Sequence, residues 1–480
     1  MHEQGSYVAG KWVAPAGADF REDVNPSDLQ DIVGRFVQSP ASLVDDAVQA
    51  ARDALPAWSR TSPQTRADLL ERVAAAILAD ATALGELLAR EEGKTRAEAI
   101  AEVTRAGQIF RFFSGEALRM TGERQPSTRE GVLVTIHREP VGVVGIVTPW
   151  NFPIAIPAWK AAPALAFGNT VVMKPADLVP ATAVALTRII HDAGFPPGVF
   201  NLVTGSGSVV GETIVQHEGV DAVTFTGSEA IGRHVAEAAV ARLAKVQLEM
   251  GGKNPLIVLA DADLDIAVDA AVNGAYFATG QRCTASSRLI VEESVHDEFV
   301  SRVLDRLSGL KVGDALATGT DIGPVVDRRQ LDVDLGYLEL ARAQAGVEVH
   351  GGELLERPTR GFFLSPALVT GTANSDRINQ EEVFGPVATV LPARDYEHAV
   401  ELANDTPFGL VAGICTTSLR AAEDYQARAE AGMVMVNLPT AGVDPHVPFG
   451  GRKRSSYGPK EQGAHARQFF TQTKTAYIRP

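Results

Sequence analysis

The chain has 480 residues, 45% of them hydrophobic and 21% charged, a globular composition too long for one ordinary core, so we expect two or more domains. No apolar run is long enough to span a membrane. The first residues lack the charged-then-apolar pattern of a signal peptide, which predicts a cytoplasmic protein. A formal net charge of −15 disfavours nucleic acid as a partner, and no metal-binding motif occurs.

The first elements in chain order are predicted to be helical. Ser62 or Thr61 fits the start of a helix, and Leu70, Val73 and Ile77 then share one face. Residues 132–138 alternate in polarity like a strand. From about residue 143, short β-rich runs alternate with helical stretches, and the alternation resumes after residue 283. This pattern predicts parallel sheets covered by helices, in two α/β domains that meet near residue 250.

Cys283 lies in the stretch GQRCTASSR and is one of only two cysteines. Two cysteines are too few for a disulfide framework and fit a reducing compartment. Most free cysteines are small buried hydrophobic residues, and that interpretation suits Cys415 in GLVAGICTT. At Cys283 a nucleophile is the alternative, because the neighbouring cation Arg282 would favour the reactive thiolate. The motif by itself leaves both interpretations open.

Two other polar residues follow apolar strands. Asn151 stands between prolines in TPWNFP, where it is either an ordinary turn residue or a rigidly held N–H donor for a developing oxyanion. One such donor contributes roughly 3–4 kcal/mol to a transition state. Glu249 precedes a Gly-Gly pair in KVQLEMGGKNP. It is either a solvated charge at a strand end or a general base whose pKa is raised by burial.

Three predicted strand ends have the composition of nucleotide-binding turns. TGSGSVVG, which contains Gly207, is similar to a glycine-rich phosphate loop, although its spacing differs by one residue from the usual dinucleotide fingerprint. Gly227 and Ser228 in FTGS precede a helix and suit a phosphate. Lys174 and Asp177 in KPAD suit ribose hydroxyls. Each stretch alone is compatible with a plain turn, and together they predict a nucleotide site.

Seven motifs occur in one order along nearly the whole chain: TPWNFP, KPAD, FTGS, EMGGK, GQRCT, EEVFGP and PFGGRKRSSYG. In this set and order the sequence resembles the NAD(P)-dependent aldehyde dehydrogenases. The resemblance implies an α/β aldehyde dehydrogenase fold and a homodimer or homotetramer, with strand VLVTIHR pairing across subunits. The implied parts are a Rossmann-like cofactor domain (1–125 and 145–250), an α/β catalytic domain (251–440), oligomerisation strands (126–144 and 462–480) and a substrate-mouth loop (441–461).

The resemblance also implies the chemistry. Cys283 would attack the aldehyde carbon, Asn151 would stabilise the oxyanion, and hydride would leave for the nicotinamide ring. Glu249 would activate the water that hydrolyses the resulting thioester. Lys160 and Glu461 match positions linked to proton movement. The positions expected to contact NADP or NAD are Thr148, Pro149, Trp150, Lys174, Asp177, Gly207, Gly211, Phe225, Gly227, Ser228, Glu382 and Phe384.

The choice of cofactor depends on one carboxylate. A glutamate after KPA would bind the ribose hydroxyls and repel a 2′-phosphate. Asp177 is one methylene shorter than a glutamate, which favours use of NADP besides NAD.

A narrower similarity concerns the aldehyde. Residues 121–160 and 432–458 are similar to those of family members that oxidise 2,5-dioxopentanoate to 2-oxoglutarate. This substrate is an anion, which Arg282 could bind in a bidentate manner, and a structural ion pair is the alternative role for Arg282. The residues expected to contact the substrate are Phe152, Ile156, Trp159, Arg282, Thr284, Pro439 and His446.

Two motifs depart from the commoner family sequences, and alternative functions remain open. EMGGK replaces the commoner ELGGK without changing volume, and Ser456 with Tyr457 alters the C-terminal motif near the substrate mouth, which bears on the substrate. Succinic semialdehyde or a broad range of aldehydes are alternative substrates. A dehydrogenase that transfers the acyl group to coenzyme A would not need Glu249. A non-catalytic relative should have lost Cys283, Glu249 or Asn151.

Overall fold

The computed structural model describes residues 3–480, and elements are numbered here in chain order. An eight-stranded sheet forms the first α/β unit, in the order β22-β12-β11-β8-β9-β10-β2-β3. Strands β8 to β12 run parallel, and the others are antiparallel additions at the edges. The strands are β2 (Ser6–Val8), β3 (Lys11–Val13), β8 (Val143–Val147), β9 (Thr170–Lys174), β10 (Phe200–Leu202), β11 (Ala222–Thr226), β12 (Lys245–Glu249) and β22 (Ser456–Tyr457).

A seven-stranded sheet forms the second unit, in the order β15-β16-β17-β14-β13-β19-β20. All of its neighbours are parallel except β15 and β16. The strands are β13 (Asn254–Val258), β14 (Ser286–Glu292), β15 (Glu348–Gly351), β16 (Ala367–Thr370), β17 (Val387–Ala393), β19 (Val411–Cys415) and β20 (Met433–Val436). The last parallel strand of the first sheet ends at Glu249 and the second sheet begins at Asn254, close to the predicted boundary near residue 250.

Helices cover both sheets. They are α1 (Ala41–Trp58), α2 (Pro63–Ala79), α3 (Ala81–Glu92), α4 (Arg96–Ala117), α5 (Ala155–Ala166), α6 (Ala181–Asp192), α7 (Glu212–Gln216), α8 (Glu229–Ala241), α9 (Leu264–Tyr276), α10 (Glu293–Ser308), α11 (Arg328–Arg342), α12 (Arg377–Gln380), α13 (Tyr396–Asn404), α14 (Leu419–Arg428) and α15 (Arg467–Phe470). Of the two predicted caps, Ser62 is the one that caps α2, and Leu70, Val73 and Ile77 are buried in the core between α2, α4 and α5. No helix within residues 3–480 is long and apolar enough to cross a membrane.

Three small sheets complete the fold. They contain β1 (Glu3–Gln4), β4 (Phe20–Val24) and β5 (Ile32–Val37); β18 (Phe408–Gly409) and β21 (Arg452–Lys453); and β6 (Glu123–Pro126), β7 (Leu133–Pro140) and β23 (Thr471–Ile478). The predicted strand VLVTIHR lies in β7, which is hydrogen-bonded to β23 on one side and to β6 on the other. The prediction that this strand pairs across subunits is therefore wrong, because both of its edges are already occupied. The free edges of this sheet belong to β6 and β23.

The strand order of the first sheet places a crevice at one of its edges. From β8 the chain continues outward to β9 and β10, whereas β11 and β12 lie on the opposite side of β8. The order therefore reverses between β8 and β11. Parallel sheets bind ligands outside the carboxyl ends of their strands at such a point. Glu249, Lys174 and the residues that follow β8 and β11 all lie at this edge.

Candidate active site

Cys283 lies on a tight loop between α9 and β14. Ala278, Thr279 and Gly280 adopt left-handed backbone conformations, with φ of +52°, +57° and +66°. A Cβ on Gly280 would collide with the carbonyl oxygen of Gly385, so glycine is required there both by its conformation and by the close approach. The loop that carries Cys283 is thus packed against the loop that carries Glu382 and Phe384.

The surroundings of Cys283 favour its thiol form over the thiolate. Burial raises the pKa of Cys283, and the charges of Glu382 and Glu249 raise it further. Arg282 does not act as the thiolate-stabilising cation that the sequence suggested. Its guanidinium donates to Glu98 Oε1 and to the Asn273 carbonyl oxygen, both at 3.3 Å.

Asn151 reaches the same loop from the other sheet. Its buried amide Nδ2 donates to the carbonyl oxygen of Gln281 at 2.9 Å, two residues before Cys283. An amide nitrogen carries two hydrogens, so one N–H is left for a second acceptor. The backbone is fixed as well, because Lys94 Nζ donates to the Asn151 carbonyl oxygen at 2.7 Å. Asn151 can thus serve as a held donor beside the nucleophile.

A polar cluster at the start of α4 supports the turn that contains Asn151, and the sequence analysis did not predict it. Lys94 pairs with Glu102 Oε2 at 2.7 Å, and both side chains are buried. Glu102 Oε1 accepts the backbone N–H groups of Ile154 and Ala155, each at 3.1 Å, where α5 begins. Glu98 accepts the N–H of Ala278 at 2.7 Å. The spacing of Lys94, Glu98 and Glu102, four residues apart, was the available signal.

Glu249 is buried at the end of β12. Burial and then the charge of Glu461 raise the pKa of Glu249 well above its ordinary value, and the Ser456 hydroxyl and two lysines, Lys460 and Lys160, oppose that rise. Lys160 is itself buried and hydrogen-bonded to Glu461 and to Thr224 Oγ1. The structure thus brings Glu249, Lys160 and Glu461 into one buried group at the carboxyl end of the first sheet, with the chemistry of a general base.

The crevice beside β8 and β11 fits a dinucleotide. Thr148 follows β8 and Thr226 ends β11, its neighbour, and both hydroxyls are buried without a hydrogen-bond partner in residues 3–480. Unpartnered buried hydroxyls at a switch point are suited to a polar ligand. Burial lowers the pKa of Lys174, at the end of β9, to about 8, and the charge of Asp177 partly opposes this shift. Asp177 is paired with Arg21 at 2.5 Å.

The remaining predicted cofactor positions lie around this crevice. Trp150 and Phe384 contact each other edge to face, with ring centroids 5.3 Å apart, and Pro149 beside them is half-buried. Glu382 Oε1 accepts the Gly252 N–H at 2.9 Å, and burial raises the pKa of Glu382 to about 7. Phe225 is buried and packs under Gly227, where a Cβ would come within 2.5 Å of its ring.

Two helix starts flank the crevice with exposed apolar side chains. Gly207 and Gly211 bound a π-helical turn before α7, and Ser228 immediately precedes α8, its side chain free of any capping bond to that helix. Val209 and Ile231, on these two segments, are 42% and 53% exposed. A pair of exposed apolar side chains offers a flat aromatic base two faces to pack against. The residues present therefore fit a nicotinamide dinucleotide.

A cavity of about 670 Å³ opens in front of Cys283. Five predicted substrate contacts line it, namely Phe152, Trp159, Arg282, Thr284 and Pro439. Two others do not. Ile156 is wrong because α5 is enclosed on every side and buries this residue in the core, and His446 is wrong because it lies exposed outside the cavity.

The predicted substrate-mouth loop is divided in the structure. Residues 441–445 line the cavity, whereas Arg452–Lys453 and Ser456–Tyr457 form β21 and β22 at other sheet edges. The prediction that Ser456 and Tyr457 lie near the substrate mouth is therefore wrong. Ser456 instead contacts Glu249.

Arg105 on α4 is a cavity residue that the sequence reasoning missed. It is half-buried, and its Nη2 donates to Gln462 Oε1 at 3.3 Å. In the described part of the chain its guanidinium makes no ion pair within 4.0 Å. Burial lowers the pKa of Arg105, while Asp444 and Glu102 oppose this from a distance. A half-buried cation without a close counter-ion is unfavourable alone and would be stabilised by an anionic ligand.

Comparison with known proteins gives the class. Residues 12–476 match the aldehyde dehydrogenase family. The chain belongs to this family.

Curated relatives match this chain over nearly their whole length. The chain is 42% identical to the alpha-ketoglutaric semialdehyde dehydrogenase of Bacillus subtilis over 477 residues, 99% of this chain and 98% of that relative. It is 38% identical to the 2,5-dioxopentanoate dehydrogenase of Saccharolobus solfataricus, covering 98% of each. Among solved structures, betaine aldehyde dehydrogenase from Staphylococcus aureus in complex with NAD+ is 34% identical, with a TM-score of 0.95 over 99% of this chain and 95% of that one.

Proposed function

We propose that the protein oxidises 2,5-dioxopentanoate to 2-oxoglutarate, with NADP or NAD as the hydride acceptor. The observation that carries the substrate is the cavity in which the unpaired guanidinium of Arg105 and the thiol of Cys283 occur together. An aldehyde with a carboxylate at its far end matches both groups. The names of the relatives in Bacillus subtilis and Saccharolobus solfataricus support the same aldehyde.

The first stage is attack on the aldehyde. The Cys283 sulfur forms a bond to the aldehyde carbon as the thiol proton passes to a water molecule in the cavity, and the carbonyl oxygen becomes an oxyanion. The free N–H of the Asn151 amide and the backbone N–H of Cys283 stabilise that oxyanion. The bound dinucleotide supplies the hydride acceptor, and loss of hydride from carbon leaves a thioester on Cys283. Arg105 holds the distal carboxylate throughout, which fixes the aldehyde in front of the sulfur.

The second stage is hydrolysis. Glu249 removes a proton from water, the resulting hydroxide attacks the thioester carbon, and the carbon–sulfur bond breaks to release the carboxylic acid and the thiolate. The raised pKa of Glu249 suits this step, because a stronger base takes a proton from water more readily. Lys160 and Glu461 form the buried route by which that proton leaves Glu249.

The assembly and location follow the same proposal. The protein acts in the cytoplasm as a homodimer or homotetramer, through the free edges of the sheet formed by β6, β7 and β23. In this proposal residues 1–125 and 145–250 form the cofactor domain and residues 251–440 the catalytic domain.

The test is initial NAD(P)H formation at equal low concentrations of 2,5-dioxopentanoate, succinic semialdehyde and propionaldehyde, each with NAD and with NADP. We expect the highest kcat/KM for 2,5-dioxopentanoate, because its carboxylate reaches Arg105. Equal kcat/KM for all three would make the protein a broad aldehyde dehydrogenase, and a preference for succinic semialdehyde would replace the substrate. Product that forms only with coenzyme A would overturn the role of Glu249.

A further inference from the structure

Ser456 belongs to the C-terminal motif PFGGRKRSSYG, and the structure shows what it contacts. It begins β22, which pairs antiparallel with β12 so that Ser456 lies directly opposite Glu249. The adjacent residue, Ser455, accepts the N–H of Met250 at 2.7 Å. The C-terminal motif is therefore hydrogen-bonded to the end of β12, which carries the proposed general base, Glu249.

The Ser456 hydroxyl makes two short hydrogen bonds with fixed roles. Its Oγ accepts the backbone N–H of Gly451 at 2.5 Å and lies 2.5 Å from Glu249 Oε2. An amide N–H can only donate, so the single hydroxyl hydrogen is free to point at the carboxylate. Ser456 is thus a donor to Glu249, and a donor favours the charged form of a carboxylate.

The rest of the loop encloses the other carboxylate oxygen. A Cβ on Gly450 would lie 2.6 Å from Glu249 Oε1, and Lys460 Nζ is hydrogen-bonded to the Gly451 carbonyl oxygen. Glu249 does not line the cavity in front of Cys283, so in this conformation its carboxylate faces the loop of residues 450–456. The ionisable groups that act on it are Glu461, Lys460 and Lys160, and the Glu249 carboxylate in turn raises the pKa of Cys283.

We propose that Ser456 is a positioning residue for thioester hydrolysis: its hydroxyl fixes the resting conformation of Glu249 and favours the ionised form of the carboxylate over the protonated form. The inference rests on the proposed function, in which Glu249 is the base for this step. Without the hydroxyl, nothing at this position opposes burial and the charge of Glu461, which both raise the pKa of Glu249. Glu249 then becomes protonated at a higher pH and stops serving as a base there.

The experiment isolates acyl-enzyme hydrolysis in the full-length protein without cofactor. p-Nitrophenyl acetate acylates Cys283 with a burst of p-nitrophenolate, and the slower phase that follows measures hydrolysis. We expect S456A to shift the lower-pH midpoint of that phase upward by about one pH unit, since a hydrogen bond to a charged group corresponds to a shift of about that size. The burst should keep its amplitude. S456T, which retains a hydroxyl, should restore the wild-type midpoint.

Control variants separate the possible failures. Y457F changes the neighbouring side chain, which is 57% exposed, and should leave the midpoint unchanged. Thermal unfolding of S456A within a few degrees of wild type shows that the variant is folded. A midpoint in S456A equal to that of wild type overturns the inference. Unimpaired hydrolysis in E249Q overturns the proposed role of Glu249 itself, whereas blocked hydrolysis in E249Q with an unmoved S456A midpoint overturns only the role of Ser456.

Discussion

Two arginines at the cavity differ in what they already bind. Arg282 donates to Glu98, whose carboxylate also accepts the N–H of Ala278 in the loop that leads to Cys283. Its hydrogen bonds therefore connect α4 to the loop that carries Cys283. This is the structural role that the sequence analysis gave as the alternative for Arg282. Among residues 3–480, Arg105 has only the neutral amide of Gln462 as a partner. Of the two, Arg105 has the guanidinium free to bind a substrate carboxylate.

R105M tests this difference. We expect kcat/KM for 2,5-dioxopentanoate to fall by roughly 10- to 100-fold, since hydrogen bonds to a charged group contribute about 1.5–3 kcal/mol and about 1.4 kcal/mol is a factor of ten. The value for propionaldehyde should stay within about threefold, because it has no carboxylate. The measurement is initial rate against concentration for both aldehydes.

The matched control for R105M is R111M. Arg111 is on the same helix, is 52% exposed and pairs with Glu71 at the surface, so its removal changes the net charge equally without touching the cavity. R111M should leave both values unchanged. An equal loss for the two aldehydes in R105M would mean that Arg105 supports the fold of the cavity and not the carboxylate.

At the scale of elements, the loop between α9 and β14 that carries Cys283 depends on one glycine, Gly280. G280A should destabilise the protein by about 2 kcal/mol or more, because alanine is unfavourable at positive φ and its Cβ has no room beside Gly385. It should also lower activity, since Cys283 is three residues further along. The free energy of unfolding from urea titration checks the first effect, and NAD(P)H formation checks the second.

G336A is the corresponding control for G280A. Gly336 lies within α11, and a Cβ there meets nothing within 4 Å. Alanine at that position should stabilise the protein by roughly 0.5–1 kcal/mol, the usual gain from removing a glycine inside a helix. Equal stability of G280A and wild type would show that the loop can shift away from the clash.

Strands, helices and the separation of two sheets could be predicted from the sequence, because period and composition are local properties. Cys283, Asn151 and Glu249 could be singled out because each stands in a short motif at a strand or loop end. Ser456 was placed at the substrate mouth because its pairing partner, β12, is far away in the sequence. Arg105 gave no signal, since nothing in a helical pattern shows which side of the helix faces a cavity. Ile156 failed for the related reason that α5 is buried all round.

For the whole molecule, the free edge of β23 is the expected place of subunit contact. The strand has eight residues, and Tyr477 and Ile478 near its end are 61% and 48% exposed. Long edge strands with exposed apolar residues pair readily with other chains. The double variant Y477D/I478D should dissociate the oligomer without unfolding it, as measured by light scattering coupled to gel filtration and by circular dichroism.

A surface control accompanies that variant. Leu419 is 73% exposed at the start of α14, where an aspartate is also favourable to the helix dipole. L419D should leave the molar mass unchanged. If Y477D/I478D has the molar mass of wild type, the subunit contact does not lie at this end of β23.

The return of the C-terminal segment to β12 has a consequence for synthesis on the ribosome. Asn151 and Glu249 emerge first and Cys283 later, but Ser456 and Glu461, which enclose Glu249, emerge near the end. A nascent chain therefore exposes the thiol before the general base has its final surroundings. The surroundings of Glu249 are therefore completed only when the last part of the chain has folded onto β12.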